Sequence, residues 1–546
     1  KPKLALIPSG YKSGKVYSIL PNDATGDFDF TRQSIGTRVR KDGLIEEAKT
    51  SGSITNVLLY SEDYSQVNWA KTSVTVTTNQ FLAPDGTNSA DKLDFSSSTS
   101  ARMAQVINAP AGNYTFSVYL RSVSGSGDFR IRLQSGGGIN LTVSLTEQWQ
   151  RFDLEYYHSG GASLIPYIGY YIDASYIQEV YSWGAMVNEG ALSDYIKTEG
   201  TTETKTVETF TDVPRLDWLN SNCPSLLLEP QRSNNLKYSE DFSNAVWGLL
   251  SAGTGVNPIV TANYSIAPNG TLTADRIIFN QGSGTSGSDY SIIRQVVTSV
   301  GQGISSVYMK SNTNDDYVIG IDEVGLGTKD VTVTPDWQRF EYSETTNDRL
   351  QLSLRGGTNS NYADISVWGA MLEQGDYPTS YIKTEASLVT RLKDECINGG
   401  DSDLFDITEG TFFVDVTPYK SDSSFTAISL NDDSANNRVE MFFYGGTNQV
   451  RFVLAGGGSG LSLDNYETIT YNTRNKMAVT FNGSIAKVYL NGSLEHTDPS
   501  VDAMVGLDRL EFTLFNGTVN FEGKVHDTRV YDRVLTEAEA IELTTL

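Results

Sequence analysis

Cysteine is nearly missing from this chain: two in 546 residues, Cys223 and Cys396. That excludes a disulfide-rich scaffold and a cysteine zinc site. Histidine is as scarce. His158, His496 and His526 stand far apart, and none carries a triad or metal signature. Long apolar runs are absent as well. No stretch approaches the roughly 18 consecutive apolar residues of a membrane span, so membrane insertion is not expected. The chain opens Lys1-Pro2-Lys3-Leu4 without a secretory leader or an initiator methionine, which leaves its compartment open. Positive charge is in deficit: 41 Lys and Arg face 66 Asp and Glu, a net −25 with no basic block. Binding to nucleic acid or an anionic membrane needs Lys/Arg density and is not expected. The acidic surplus favours solubility and suits divalent cations.

What is present reads as β-structure. Glycine is abundant at 49, aromatics reach 11% with 29 tyrosines, and helical periodicity is confined to the last residues. Short strands joined by tight turns fit that mixture, and the length fits roughly three or four domains. The chain also repeats itself. Ser182-Trp183-Gly184-Ala185-Met186 with Tyr195-Ile196-Lys197-Thr198-Glu199 returns as Val367-Trp368-Gly369-Ala370-Met371 with Tyr381-Ile382-Lys383-Thr384-Glu385. Tyr60-Ser61-Glu62-Asp63 returns as Tyr238-Ser239-Glu240-Asp241, and Trp149-Gln150-Arg151-Phe152 as Trp337-Gln338-Arg339-Phe340. Kept order with small changes in spacing places the insertions in loops on one shared scaffold.

The period within a copy is two. Tyr114, Phe116, Val118 and Leu120 alternate with wetter neighbours, and Phe129, Ile131 and Leu133 alternate with Arg130 and Arg132. The expectation is all-β: three β-sandwich, jelly-roll modules in tandem, with a small N-terminal anchoring segment and one short C-terminal helix. The expected boundaries are 1–51 for the anchor, 52–207 and 234–397 for the repeated modules, and 398–546 for a third sandwich. Residues 208–233 read as an extended, buried connector. In each repeat the Trp-Gly-Ala-Met stretch is the final strand with its indole between the sheets, and Tyr-Ile-Lys-Thr-Glu is the exit strand. In the third module Asn482-Gly483 and Asn491-Gly492 read as hairpin turns. Their register puts Met477, Val479 and Phe481 on one face with Ala486, Val488 and Leu490. Thr536 and Glu539 form a capping box for the helix.

Residues 476–543 resemble the concanavalin A-like or laminin G-like lectin sandwich. The likeness rests on Val479-Thr480-Phe481-Asn482-Gly483 through Val488-Tyr489-Leu490-Asn491-Gly492, and on the ending Arg529-Val530-Tyr531-Asp532-Arg533-Val534-Leu535-Thr536. The repeats resemble jelly rolls of the carbohydrate-binding-module type. Asp27-Phe28-Asp29-Phe30-Thr31-Arg32 with Thr37-Arg38-Val39-Arg40-Lys41-Asp42-Gly43-Leu44 is similar to the start of structural proteins of tailed bacteriophages. So is Val213-Pro214-Arg215-Leu216-Asp217-Trp218 with Cys223-Pro224-Ser225-Leu226-Leu227-Leu228-Glu229-Pro230. In that family the two motifs follow closely; here the first module separates them, so residues 15–47 are expected to meet 210–232. The resemblance implies a virion-surface protein, a tail fibre, appendage or capsid decoration, assembled through residues 1–51 as a homo-oligomer with other virion proteins. A trimer fits a fibre. A secreted, extracellular adhesin or polysaccharide-binding protein is the alternative, as is a purely architectural role.

Catalysis is not expected. The paired carboxylates of a glycosidase have no counterpart, and Asp322-Glu323 reads as a turn beside Gly325 and Gly327. Binding has better grounds. Tyr156, Tyr157, Tyr167, Tyr170, Tyr171, Tyr176 and Tyr181 crowd the first copy, while Arg349 to Val367 of the second holds only Tyr362. What the fold requires recurs in both copies, so the unshared tyrosines mark either a face for host glycans or a subunit contact. Glu62, Asp63, Glu240 and Asp241 offer oxygens for a structural calcium, or cap turns. Cys223 and Cys396 flank the second module, as a clasp across its base or as two reduced thiols.

Overall fold

The computed structural model describes residues 1–546 apart from 220, 322–328, 346, 357–359, 406, 421–424 and 458–459; Asp322 and Glu323 lie outside the described residues. The chain is all-β with one short helix, Glu537–Thr544, among the described residues. It divides into two compact units, Ser51–Glu208 and Lys1–Thr50 with Thr209–Leu546.

The smaller unit is a sandwich of two five-stranded antiparallel sheets. One runs Gln150–His158, Gly112–Ser122, Glu179–Glu189, Ala90–Asp94, Thr75–Phe81; the other Gly137–Leu145, Gly127–Ser135, Ile165–Tyr170, Arg102–Ala104, Ala70–Thr72. Phe116, Val118, Leu120, Phe129, Ile131 and Leu133 are fully buried between them, beside Tyr64 and Trp69. Each such side chain contributes about 1.5–3 kcal/mol by leaving water. The second copy, within the larger unit, follows the same order strand for strand. Its sheets are Lys329–Val333, Tyr317–Ile321, Arg349–Arg355, Tyr290–Val296, Gly248–Ala252 and Gln338–Glu344, Gly303–Ser311, Tyr362–Gln374, Ala274–Asn280, Val256–Ser265.

The repeated tryptophans are buried but do not lie between the sheets. Trp183 packs outside its sheet on Ala83, Ala90, Tyr119 and Tyr195, and Trp368 on Ala267, Ala274 and Tyr381. A bulge causes this: the register slips between Ser117 and Tyr119, and between Ser306 and Tyr308, opposite Gly184 and Gly369. Both glycines have positive φ, 62° and 67°, so the strand turns its indole outward and returns Ala185 and Val187 to the core. The inter-sheet indoles are Trp69 and Trp247. Nor is Tyr-Ile-Lys-Thr-Glu a strand. It is tied to the opening motif by side chains: Ser61 Oγ meets the Tyr195 hydroxyl at 2.6 Å and accepts the Thr198 N–H at 2.8 Å. Ser239 does the same for Tyr381 and Thr384 at 2.7 and 2.9 Å.

The third sandwich recruits more of the chain than residues 398–546. Its larger sheet includes Arg215–Asp217 and Ser225–Leu228 from the connector, and Leu4–Leu6 pairs with Gly523–Tyr531. The connector is therefore two strands, not a linker. Leu4, Leu6, Phe28, Phe30, Leu216, Leu226 and Leu228 share one core with Phe412, Val479 and Val530. Residues 15–47 meet 210–232 through the Trp218 N–H to Val39 O (3.0 Å) and the Asp212 N–H to Arg32 O (2.8 Å). The ladder partners of Phe28–Thr31, however, are Lys15–Val16 and Glu395–Ile397. Met477 faces Leu490, Val479 faces Val488 and Phe481 faces Ala486. Asn491-Gly492 is the two-residue turn, with φ of 48° and 86°, whereas Asn482-Gly483 begins a four-residue loop in which Asn482 Oδ1 accepts two backbone N–H groups. The capping box forms as expected, with Thr536 and Glu539 reciprocally bonded.

The cysteines are not bridged. Cys396 faces the core opposite Phe30 while Cys223 sits exposed in the loop between two strands. Burial raises the Cys396 thiol well above its ordinary pKa, so it is an inert core residue.

The motif residues Arg32, Arg215 and Glu229 converge with Arg391 and Asp394 in a buried charge network. Arg32 reaches Asp394 at 2.9 Å and Arg391 reaches Glu229 at 2.9 Å, and Arg215 bonds both acids. Glu229 suffers desolvation, but Arg391 and Arg215 outweigh it and hold the carboxyl far below its usual range. Such a network fixes which segments meet, because any wrong pairing strands a buried charge.

Candidate functional site

The outer face of the first module's sheet Gly137–Leu145 to Ala70–Thr72 collects the residues that only this copy has. In Gly127–Ser135 the core positions Phe129, Ile131 and Leu133 alternate with Asp128, Arg130, Arg132 and Gln134, which point away from the core. Register carries the pattern across the sheet. Arg132 lies between Asn140 on one neighbour and Tyr167 on the other, and Arg102 faces Tyr170. A second bulge shapes this face. The register slips between Arg102 and Met103 opposite Gly169, whose φ is 66° and where a Cβ would strike the Phe95 ring at 2.3 Å. Only glycine fits, and the chain beyond it re-aims Tyr170.

Three rings then meet edge to face: Tyr167 and Tyr170 at 4.9 Å between centroids, Tyr170 and Tyr171 at 4.5 Å. Guanidiniums cover them. Arg132 lies 4.6 Å over Tyr170, Arg102 5.5 Å over Tyr171 and Arg130 4.6 Å over Tyr176. Arg132 also donates to Gln134 Oε1 (3.1 Å) and Asn140 Oδ1 (2.8 Å). Burial, then the neighbouring Tyr170, lift the Tyr167 phenol above its ordinary pKa, so it stays a neutral donor. Partly exposed ring edges with fixed donors beside them can hold a polyhydroxylated ring by apolar contact and by its hydroxyls.

The structure thus brings together Tyr167, Tyr170, Tyr171 and Tyr176 and leaves out three others. Tyr156 and Tyr157 belong to the opposite sheet, on Gln150–His158. Tyr156 is half-buried with its hydroxyl on Ser135 O, and Tyr157 stands 62% exposed and alone. Tyr181 stacks on Phe81 at 4.7 Å beneath Arg121, also on that sheet. Arg102, Arg130, Arg132 and Asn140 are the members that sequence reasoning missed. The Phe-Arg-Ile-Arg-Leu alternation placed two of them on a wet face, but nothing linked that face to the tyrosines before register was known.

Among the described residues the second copy lacks this surface. The core row Ile131, Ile168, Met103 corresponds to Ile321, Leu352, Ile293. Counting from it, Arg130 becomes Gly320, Arg102 becomes Ile292 and Tyr167 becomes Gln351, while Ala104 becomes Arg294; the counterpart of Arg132 lies outside the described residues.

The acidic pairs do not fit a calcium. Glu62 accepts the Tyr195 hydroxyl at 3.0 Å and pairs with Lys197 at 3.1 Å; Glu240 does likewise with Tyr381 and Lys383 at 2.9 and 3.3 Å. Asp63 and Asp241 close Asx turns onto Ser65 and Ser243. Their oxygens are spent on different partners and do not converge, and no group of three or more His, Cys, Asp or Glu among the described residues is placed to hold a metal. His158 is buried between Ser135 Oγ and Ala109 O, with no carboxylate behind it.

The larger unit has a cleft of about 910 Å³ lined by Tyr308, Trp337, Tyr377, Tyr381 and Tyr419. Tyr308, Trp337 and Tyr381 have counterparts in Tyr119, Trp149 and Tyr195, and its cations are engaged, Lys524 with Asp217 at 2.7 Å and Arg339 with Thr379 O at 2.8 Å. Tyr308, Trp337 and Tyr381 are scaffold shared by both copies, and the unshared Tyr377 donates its hydroxyl to Glu522 at 2.8 Å.

No helix among the described residues is long and apolar enough to cross a membrane. No curated protein matches the chain. Among solved structures it is similar to the CBM40 module of the Ruminococcus gnavus IT-sialidase bound to α2,3-sialyllactose, at 19% identity over 26% of this chain and 84% of that one, with a TM-score of 0.22. It is similar to domain 4 of AbnA, an extracellular arabinanase of Geobacillus stearothermophilus in complex with arabinotriose, at 14% identity over 31% of this chain and 82% of that one, with a TM-score of 0.25. The tandem CBM22 domain of Paenibacillus barcinonensis Xyn10C matches at 11% over 58% and 97%, with a TM-score of 0.24. Residues 401–540 match the concanavalin A-like lectin/glucanases superfamily.

Proposed function

We propose that this is a non-catalytic glycan-binding protein whose first module holds saccharide on the Tyr167, Tyr170, Tyr171 face. The observation that carries the reading is the gathering of unshared rings and arginines on one sheet face of a scaffold the second copy repeats without them. The lectin-superfamily match of residues 401–540 supports the same class of role. A glycan array probed with the full chain tests it. Tyr167→Ala and Tyr170→Ala should each weaken retention at least tenfold while leaving the melting temperature within a few degrees. Absence of retention by the unaltered protein would leave an architectural role.

The finer reading is display on a phage particle, as a fibre, appendage or decoration. It is supported by the buried network, which uses Arg32, Arg215 and Glu229 from the two motifs that resemble phage structural proteins. Single sugar sites are weak and copies on one particle supply avidity, so a homo-oligomer, a trimer in a fibre, belongs to this reading. Sedimentation of the full chain reads the copy number. Antibody detection in purified phage particles, against detection in cell-free medium, separates the virion protein from a secreted polysaccharide-binding protein.

A further inference from the structure

We infer that the saccharide this face takes is acidic, carrying carboxylate or sulfate groups, and that Arg102, Arg130 and Arg132 select it; the inference rests on the glycan-binding reading above. The chain has 66 acidic and 41 basic residues, and most of its arginines have found carboxylates, among them Arg38, Arg276, Arg451, Arg474 and Arg529. These three have not. Among the described residues none forms an ion pair, and their hydrogen bonds go to neutral oxygens of Ser100, Tyr170, Tyr176, Gln134 and Asn140. The nearby acids Asp128 and Asp173 form no ion pair with them: Asp128 accepts from Ser144 at 3.0 Å, and Asp173 is bound by Ser175 and feels the charge of Arg130 without a direct bond to it. Three arginines outside any ion pair thus gather on one face of a strongly negative molecule, where a bound anion can take the place of a counter-ion.

Their placement suits one ligand. Arg130 and Arg132 are two residues apart on one strand, about 7 Å, and Arg102 lies two strands away, about 10 Å. That span matches one or two sugar rings lying on the tyrosines between. Cation–π contacts with Tyr170, Tyr171 and Tyr176 hold the guanidiniums in place, so less side-chain freedom remains to be lost on binding. Room for Arg132 is built in, because a Cβ at Gly138 would lie 2.7 Å from its guanidinium. Planar forks of this kind bind carboxylate or sulfate oxygens in pairs, which neutral hydroxyls cannot match.

The test uses the full chain on an array of saccharides in matched pairs. These are polygalacturonate against its methyl ester, sialylated glycans against the desialylated forms, and dextran sulfate against dextran, with single-stranded DNA as a non-saccharide polyanion. At least one acidic member should bind tenfold or more tighter than its neutral partner, and that preference should shrink as salt is raised. Which pair responds tells carboxylate from sulfate. Arg130→Gln and Arg132→Gln should each remove at least tenfold of the acidic binding, with thermal unfolding unchanged; Arg132→Lys should restore part of it. Equal binding of acidic and neutral members, lost in Tyr167→Ala, would overturn the acidic selectivity and leave glycan binding standing. DNA bound as tightly as the best saccharide would overturn it also, as charge attraction alone. Binding of no saccharide would overturn both.

Discussion

Asn56 and Asn234 show how much a single side chain can decide. Asn56 donates to Ala185 O and Ile196 O and accepts from the Leu58 and Val187 N–H groups; Asn234 repeats all four bonds with Ala370, Ile382, Leu236 and Leu372. Both are fully buried, so Asn56→Ala strands four backbone groups and should cost the first module on the order of 3 kcal/mol in urea denaturation. Asp394→Asn removes a charge that Arg32 and Arg215 face in the core of the larger unit, and about 3–5 kcal/mol of its stability should go. Asp91 and Asp275 predict a pH dependence. Burial pushes each up to about 6, against two backbone N–H bonds that oppose the rise. The folded pKa lies above the ordinary 3.8, so their contribution is complete below about pH 4 and is lost as pH rises through 6. The melting temperature should therefore rise between pH 7.5 and 5, on the order of 1–2 kcal/mol from each carboxyl. Asp91→Asn with Asp275→Asn should flatten that rise. Glu229 is depressed instead; its contribution holds above its ordinary 4.5 and is lost only as pH falls far below, outside this window.

At the scale of elements, three bulges set where the key side chains point. Gly184 and Gly369 turn the repeated indoles outward, and Gly169 builds the tyrosine platform. Gly184→Val would force a β-branched residue to a φ of 62° and press its Cβ to 3.1 Å from Tyr119. A loss of about 1–3 kcal/mol in the first module is expected from calorimetry. The short helix depends on its cap. Thr536→Ala removes the acceptor for the Glu539 N–H and should cost about 1 kcal/mol, read as a lower melting point of the larger unit. Alternation and turn residues made the strands, the 477–490 register and this helix legible in the sequence. The bulges were not legible, because a Gly in a strand pattern does not say which neighbour slips past it.

For the whole molecule, the chain enters and leaves the smaller unit through the paired strands Thr50–Asn56 and Glu203–Thr209. Replacing residues 51–208 by a short turn should leave the unfolding of the larger unit unchanged and abolish retention on the acidic saccharide. The duplication, the all-β class and the third sandwich were legible in the sequence alone, because periodicity and repeated motifs are local; the insertion of one module between two motifs was an expectation from a family resemblance. Cross-chain pairing was not local. Only the tertiary structure decided that the anchor and connector share the third sandwich's core, that Cys396 is buried away from Cys223, and that Glu62 and Glu240 clasp tyrosines instead of a metal. It also decided the site. Tyr167 and Arg102 are 65 positions apart and Tyr157 only ten from Tyr167, yet strand register unites the first pair and sends Tyr157 to the other sheet.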